Sequence, residues 1–154
     1  TEIYTLSLHD ALPILGAAML GGVSGHAGLF SSSRELAVLM QMLLNNGVYG
    51  KKRYLKQQTI YNFTTRFNKS SRRGLGFDMK ELDPMKNKNM SLLASPSTFG
   101  HLGFTGTCVW ADPEKKLIYI FLSNRTFPTM HNDKLVKKDY RARIQSVIYK
   151  SIID

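Results

Sequence analysis

Two β-rich runs, residues 106–111 (GTCVWA) and 117–123 (LIYIFLS), are separated by Asp112-Pro113-Glu114-Lys115-Lys116. Proline fixes φ and has no N–H to give a ladder, so the spacer reads as a turn and the runs as an antiparallel hairpin. The second run is almost wholly apolar, which predicts a strand buried on both faces. A hairpin of this kind needs helices to cover it, and the flanking sequence offers them.

Upstream, Ser32 with Glu35 three residues later is a capping box, and apolar residues follow at Leu36, Leu39, Met40, Leu43 and Leu44. Asn45-Asn46-Gly47 then closes that helix with a C-cap signal. Residues 48–55 carry two turn signals, and residues 56–64 hold Ile60 and Phe63 at helical spacing, predicting a short second helix. Residues 75–79 alternate weakly, as a strand would, and residues 80–97 read as a long loop broken by Asp83-Pro84 and Asn87. Downstream, Asn132 is a candidate N-cap for a final helix with Val136, Tyr140, Ile144, Val147 and Ile148 along one face. Lys137, Lys138, Arg141 and Arg143 occupy its other side. This order predicts an α+β domain in which antiparallel strands are flanked by helices.

The chain's 154 residues suffice for one domain with a substantial core, and a hydrophobic content of 43% fits a globular chain. The longest apolar stretch, residues 11–23, contains Pro13 and three glycines and is too short to span a bilayer. With Cys108 as the single cysteine, there is neither an intrachain disulfide nor a cysteine-based metal site. No histidine pair has metal-ligand spacing on one helix face, and no cofactor is implied.

The formal charge of +10 needs an explanation. No Asp or Glu lies between Leu36 and Phe77, where Lys51, Lys52, Arg53, Lys56, Arg66, Lys69, Arg72 and Arg73 all fall. Such a stretch fits a nucleic-acid or membrane-surface binder, or a solvated face whose acidic complement lies elsewhere. No helix-turn-helix, aromatic RNA-binding motif or zinc finger accompanies it, which favours the solvated face and no nucleic-acid partner.

Residues 1–14 (TEIYTLSLHDALPI) resemble the conceptual translation of a sequencing adapter. That resemblance implies a non-native segment, with native sequence occupying residues 15–154. No secretory signal is legible at the N-terminus.

Two segments resemble the serine β-lactamase, penicillin-binding-protein and esterase superfamily, in its class C and DD-peptidase-like branch. One is Ala27-Gly28-Leu29-Phe30-Ser31-Ser32-Ser33-Arg34-Glu35-Leu36-Ala37, similar to the family segment that borders the active site and enters a helix. The other is Phe99-Gly100-His101-Leu102-Gly103-Phe104-Thr105-Gly106-Thr107, similar to the third family motif, Lys-Thr-Gly or its variant His-x-Gly, on the strand edging the catalytic cleft. The resemblance implies the C-terminal part of a β-lactamase/DD-peptidase-like fold, a small acyl or peptide-like substrate, and a periplasmic or extracellular setting. It also implies, as a further partner, the missing N-terminal part of the same domain.

In this family a Ser-x-x-Lys motif supplies the nucleophile, and a Tyr-x-Asn or Ser-x-Asn motif assists proton transfer. None of the three occurs here, and Gly22-Val23-Ser24-Gly25-His26 misses the nucleophile-elbow pattern at its last position. The chain is therefore expected to be inert by itself. By resemblance, His101 takes the motif's lysine position as a hydrogen-bonding group, and the Phe104 N–H is an oxyanion donor. Gly103 and Thr105 line the substrate path, with His26 and Ala27 across the cleft. The residues alone allow blander readings: a strand-closing histidine at His101, an ordinary loop histidine at His26, and a tight bend at Gly103, Thr105 and Gly106. A non-catalytic module of the same fold, attached to an envelope enzyme such as a glycoside hydrolase, is the alternative within the family.

Overall fold

The computed structural model describes residues 19, 21, 22, 29–68 and 70–152. Residues 1–14, Ser24, His26 and Ala27 lie outside the described residues. The elements are α1 (Ser33–Leu44), β1 (Val48–Tyr49), β2 (Lys52–Arg53), α2 (Gln57–Thr64), β3 (Asp78–Met79), β4 (Phe99–Leu102), β5 (Cys108–Asp112), β6 (Leu117–Phe121), α3 (Lys134–Lys137) and α4 (Tyr140–Ser151). Helices and antiparallel strands combine as the α+β pattern requires.

The main sheet has the order β3-β4-β5-β6, all antiparallel. One row of its register, Met79–Phe99–Ala111–Ile118, faces Met40, Met42 and Leu43 of α1 and Ile60 of α2. The opposite face carries Cys108, Trp110 and Tyr119, which pack with Met90, Ala94 and Tyr149. Alternation of side chains along a strand lets one five-residue strand, β5, serve both clusters. Trp110 is 1% exposed, and burying a side chain of that size stabilises the fold by roughly 1.5–3 kcal/mol.

The capping box forms as the sequence predicts: Ser32 Oγ accepts from the Glu35 N–H, and Glu35 Oε2 accepts from the Ser32 N–H at 2.9 Å. The helix stops at Leu44, where Asn46 and Gly47 adopt positive φ of 53° and 88°. Gly47 also has no room for a side chain, since an added Cβ would lie 2.1 Å from the Leu55 carbonyl oxygen. The buried side of α1 is Met40, Met42 and Leu43, whereas Leu39 stays exposed. The two turn signals after α1 become a small hairpin, Val48 opposite Arg53 and Tyr49 opposite Lys52.

Several expectations need correction. The strand expected over 75–79 shrinks to Asp78–Met79, because Gly76 at φ 100° turns the chain out of extended geometry. Phe63 is exposed, while Ile60 alone of the α2 pair is buried. The apolar strand β6 is only half-buried, with Tyr119 as its one buried residue, because it lies at the end of the sheet rather than inside it.

The last helix also differs. It divides into α3 and α4 at Asp139, whose φ of 50° is left-handed, and Asp133 rather than Asn132 takes the first N-cap position. Its buried residues are Ala142, Gln145 and Tyr149, while Val136, Tyr140, Ile144 and Val147 are exposed. Polar partners decide the docking side. Gln145 Oε1 accepts from the Ser91 N–H, Ser146 and Ser91 hydroxyls meet at 2.7 Å, and Tyr119 Oη donates to the Arg141 carbonyl. Leaving such buried groups unpaired costs about 1–3 kcal/mol each, enough to outweigh an apolar stripe.

Candidate functional site

The candidate site begins on β4. At Gly100 an added Cβ would lie 1.9 Å from the Val109 carbonyl oxygen and 2.8 Å from the Trp110 ring, so only glycine lets β4 and β5 close at that rung. The next residue, His101, pairs with Val109 on its inner side. The short β3 reaches only Phe99 and Gly100, so it stops one residue before His101. His101 is accordingly exposed.

Both of its ring nitrogens are nevertheless engaged. Nδ1 lies 2.8 Å from the Leu102 carbonyl oxygen, and Nε2 lies 2.8 Å from Arg73 Nη1. Arg73 is fixed in turn. Its carbonyl accepts from the Phe67 N–H, its N–H donates to Ser71 Oγ, and its residue forms an antiparallel bridge with Asp78.

Asp78 organises this corner. Its carboxylate is 1% exposed and takes two hydrogen bonds from Arg72, at 2.7 and 3.2 Å, plus one from Asn89 Nδ2. Arg73 Nε stands 3.6 Å from the same carboxylate, and Arg72 Nη1 4.0 Å from Glu81. Buried charge is tolerated only when paired in this way. Asp78 is the first carboxylate after the basic run, so part of that run's acidic complement lies inside this chain.

After Leu102 the chain turns. Gly106 donates to the Gly103 carbonyl and Gly103 to the Thr107 carbonyl, so Phe104 and Thr105 lie in the β4–β5 turn: the Phe104 N–H is not on the strand edge where it was expected, and the bend at Gly103, Thr105 and Gly106 is present. Both are exposed, and Phe104 N–H has no acceptor among the described residues. At Gly103 an added Cβ would meet Thr107 Oγ1 at 2.1 Å, so a side chain there would force Thr107 to shift. Gly106 combines φ of 96° with a Cβ position 2.6 Å from both Leu135 and Ser123.

Arg125 clamps the turn. Its Nε donates to the Phe104 carbonyl at 2.8 Å, its guanidinium lies 4.7 Å from the centre of the Phe104 ring, and its N–H donates to the Thr105 carbonyl. Arg141 Nη1 donates to the Gly106 and Thr107 carbonyls from the other side. The structure thus brings His101, Gly103, Phe104 and Thr105 into one strand-and-turn unit. Asn124-Arg125, at the end of the second hairpin run, reads from the sequence as structural, and bracing the turn is such a role. Reading the sequence missed Arg73 and Asp78: the first carboxylate after a long basic run was the signal for Asp78, and no local pattern marks Arg73. Among the described residues, no three of His, Cys, Asp or Glu gather as a metal site, and no helix is long and apolar enough to cross a membrane.

An antiparallel sheet covered by helices, with His-x-Gly leading into a braced turn beside the sheet edge, fits part of a β-lactamase-type α+β fold. The beta-lactamase family model matches residues 4–142, and the chain belongs to that family. Proteins provisionally named D-alanyl-D-alanine carboxypeptidase from Salmonella gallinarum, Salmonella paratyphi B and Salmonella newport are each 40% identical to it over 116 residues. The match covers 75% of this chain and 27% of each relative, so the chain spans about a quarter of their length.

Proposed function

We propose that residues 15–154 form the C-terminal part of a serine acyl hydrolase acting on a peptide-like acyl substrate in the bacterial envelope. The observation that carries this reading is the exposed His101 on β4, followed by a turn whose Phe104 N–H is without an acceptor among the described residues. In such a reaction a serine Oγ adds to the substrate carbonyl carbon as its proton passes to a base. The developing oxyanion is held by backbone donors, the leaving group departs with a proton, and water then releases the acyl group. The Phe104 N–H is suited to one donor role, because Arg125 and Arg141 fix the turn without using it. The nucleophile and its base belong to a part of the domain outside these residues. The relatives' name favours a substrate ending in D-alanyl-D-alanine.

Two apolar surfaces left uncovered among the described residues suit the remainder of that domain. One is the outer edge of β6, an apolar strand without the charges or prolines that usually protect an edge. The other is the exposed α4 stripe of Tyr140, Ile144 and Val147.

The test uses a fluorophosphonate serine probe and a D-alanyl-D-alanine peptide. This chain should take up no label beyond a denatured control. The longer reading frame should be labelled at a Ser-x-x-Lys serine and release D-alanine, and H101A in it should lower turnover while folding is retained. A longer reading frame without Ser-x-x-Lys, or without labelling, would favour the non-catalytic module.

A further inference from the structure

We propose that Arg73 is a positioning residue for His101: it holds the imidazole neutral, with its proton on Nδ1, and is itself the hydrogen-bond donor presented at this sheet edge. The inference rests on His101 belonging to the proposed acyl-transfer site, and it adds the residue that sets the ring's state.

The ring's two partners fix its form. A carbonyl oxygen only accepts, so the 2.8 Å contact of Nδ1 with Leu102 O is a bond only while Nδ1 carries a hydrogen, and at this exposed ring it does not by itself keep one there. A guanidinium only donates, so Nε2, 2.8 Å from Arg73 Nη1, must present its lone pair. One hydrogen and one lone pair make a neutral ring of a single tautomer, assigned from its neighbours. His101 then has no N–H to offer a ligand.

Arg73 can impose this because it is placed before His101 meets it. The two are 28 positions apart, so the pairing belongs to tertiary structure. The backbone of Arg73 is held by Phe67, Ser71 and Asp78, and its Nε faces the buried Asp78 carboxylate, which Arg72 already grips with two bonds. Arg72 thus satisfies Asp78 and leaves Arg73 free to reach across the end of β3. A residue whose own backbone and side chain are bonded in place holds its partner's geometry far better than a free side chain. The Arg73 side chain is still 49% exposed, so N–H groups beyond those aimed at His101 and Asp78 remain open to solvent or ligand.

The test needs no turnover. The chain is labelled with ¹⁵N-histidine, His101 is assigned by the signal lost in H101Q, and long-range ¹H–¹⁵N correlations at neutral pH report which ring nitrogen carries hydrogen. Wild type should show the neutral Nδ1–H form as the major species. R73A should lose that preference and move to mainly Nε2–H or a mixture, and R73K, which keeps a cationic donor, should retain most of it. If R73A does not fold, R73M, which keeps the aliphatic stem without the donor, should give the same loss. A wild-type ring that is mainly Nε2–H or doubly protonated overturns the proposal, and so does an Nδ1–H form that persists in R73A or R73M. Because only the ring is read, this result can fail while the longer protein is acylated, and acylation can fail while this result holds.

Discussion

Tyr149 donates its phenolic hydrogen to Oδ2 of Asp112 across 2.6 Å, joining the last helix to the end of β5 in the buried layer. The same carboxylate accepts from the N–H groups of Ser95, Glu114 and Lys115, at 2.9, 3.0 and 3.1 Å. One aspartate therefore ties the hairpin turn, the long loop and α4 together. It is 1% exposed, so those four donors replace the water it gave up on folding.

Removing the phenolic donor should be felt throughout. A hydrogen bond to a charged group contributes about 1.5–3 kcal/mol, so Y149F should lower unfolding stability by about 2 kcal/mol. Urea titration should show a lower midpoint with the slope unchanged. A loss below about 0.5 kcal/mol, the range of neutral surface changes, would show that the bond contributes little.

Acid should attack the same joint. Burial pushes the Asp112 carboxyl up, but the hydrogen bonds from Tyr149, Ser95 and Lys115 outweigh it and hold the group below its usual range. A depressed folded value means the stabilisation is complete above the ordinary carboxylate range and is lost as pH falls through the folded value. Stability measured downward from neutral pH should therefore drop below the ordinary range, and Y149F should make that drop shallower. An equal acid slope in both proteins would place the acid-sensitive group elsewhere.

Gly103 packs against the side chain of Thr107. With Thr107 Oγ1 2.1 Å from where a Cβ would sit, G103A should cost about 1–3 kcal/mol by overpacking, and T107A in the same chain should recover most of it. G100A should cost more and resist rescue, because its obstacle is the Val109 backbone oxygen. Thermal midpoints of the three variants decide it; G103A as stable as wild type would remove the packing role.

Cys108 is 1% exposed, and burial pushes its thiol up to about 11. The thiolate is the reactive form, so a disulfide-exchange reagent at pH 8 should modify the native chain far more slowly than the unfolded one. Comparable rates would mean that β5 opens readily, which its place between β4 and β6 argues against.

Features whose cause lies within a few residues were legible in the sequence. The Ser32 and Glu35 box, the stop at Asn46-Gly47 and the hairpin around Pro113 each depend on local geometry, and each appears in the structure. The His101-x-Gly103 motif was legible as a pattern, and the strand-and-turn unit it forms follows from adjacent residues.

What the tertiary structure decided has partners far apart in the chain. Periodicity identifies an apolar stripe on the last helix, yet α4 turns Gln145 and Tyr149 inward, where the Ser91 N–H and the Asp112 carboxylate supply hydrogen-bond partners to Gln145 Oε1 and Tyr149 Oη. An apolar run gives strand β6, but its place at the edge depends on which neighbours pair with it. In the candidate site, the same holds for Arg73: as sequence it is one of eight basic residues in an acid-free stretch, and it acquires a role only where Asp78 anchors it across the end of β3 from His101. Local sequence sets backbone preferences and amphipathic pattern, whereas the pairing of charges over tens of residues is fixed only by the packed chain.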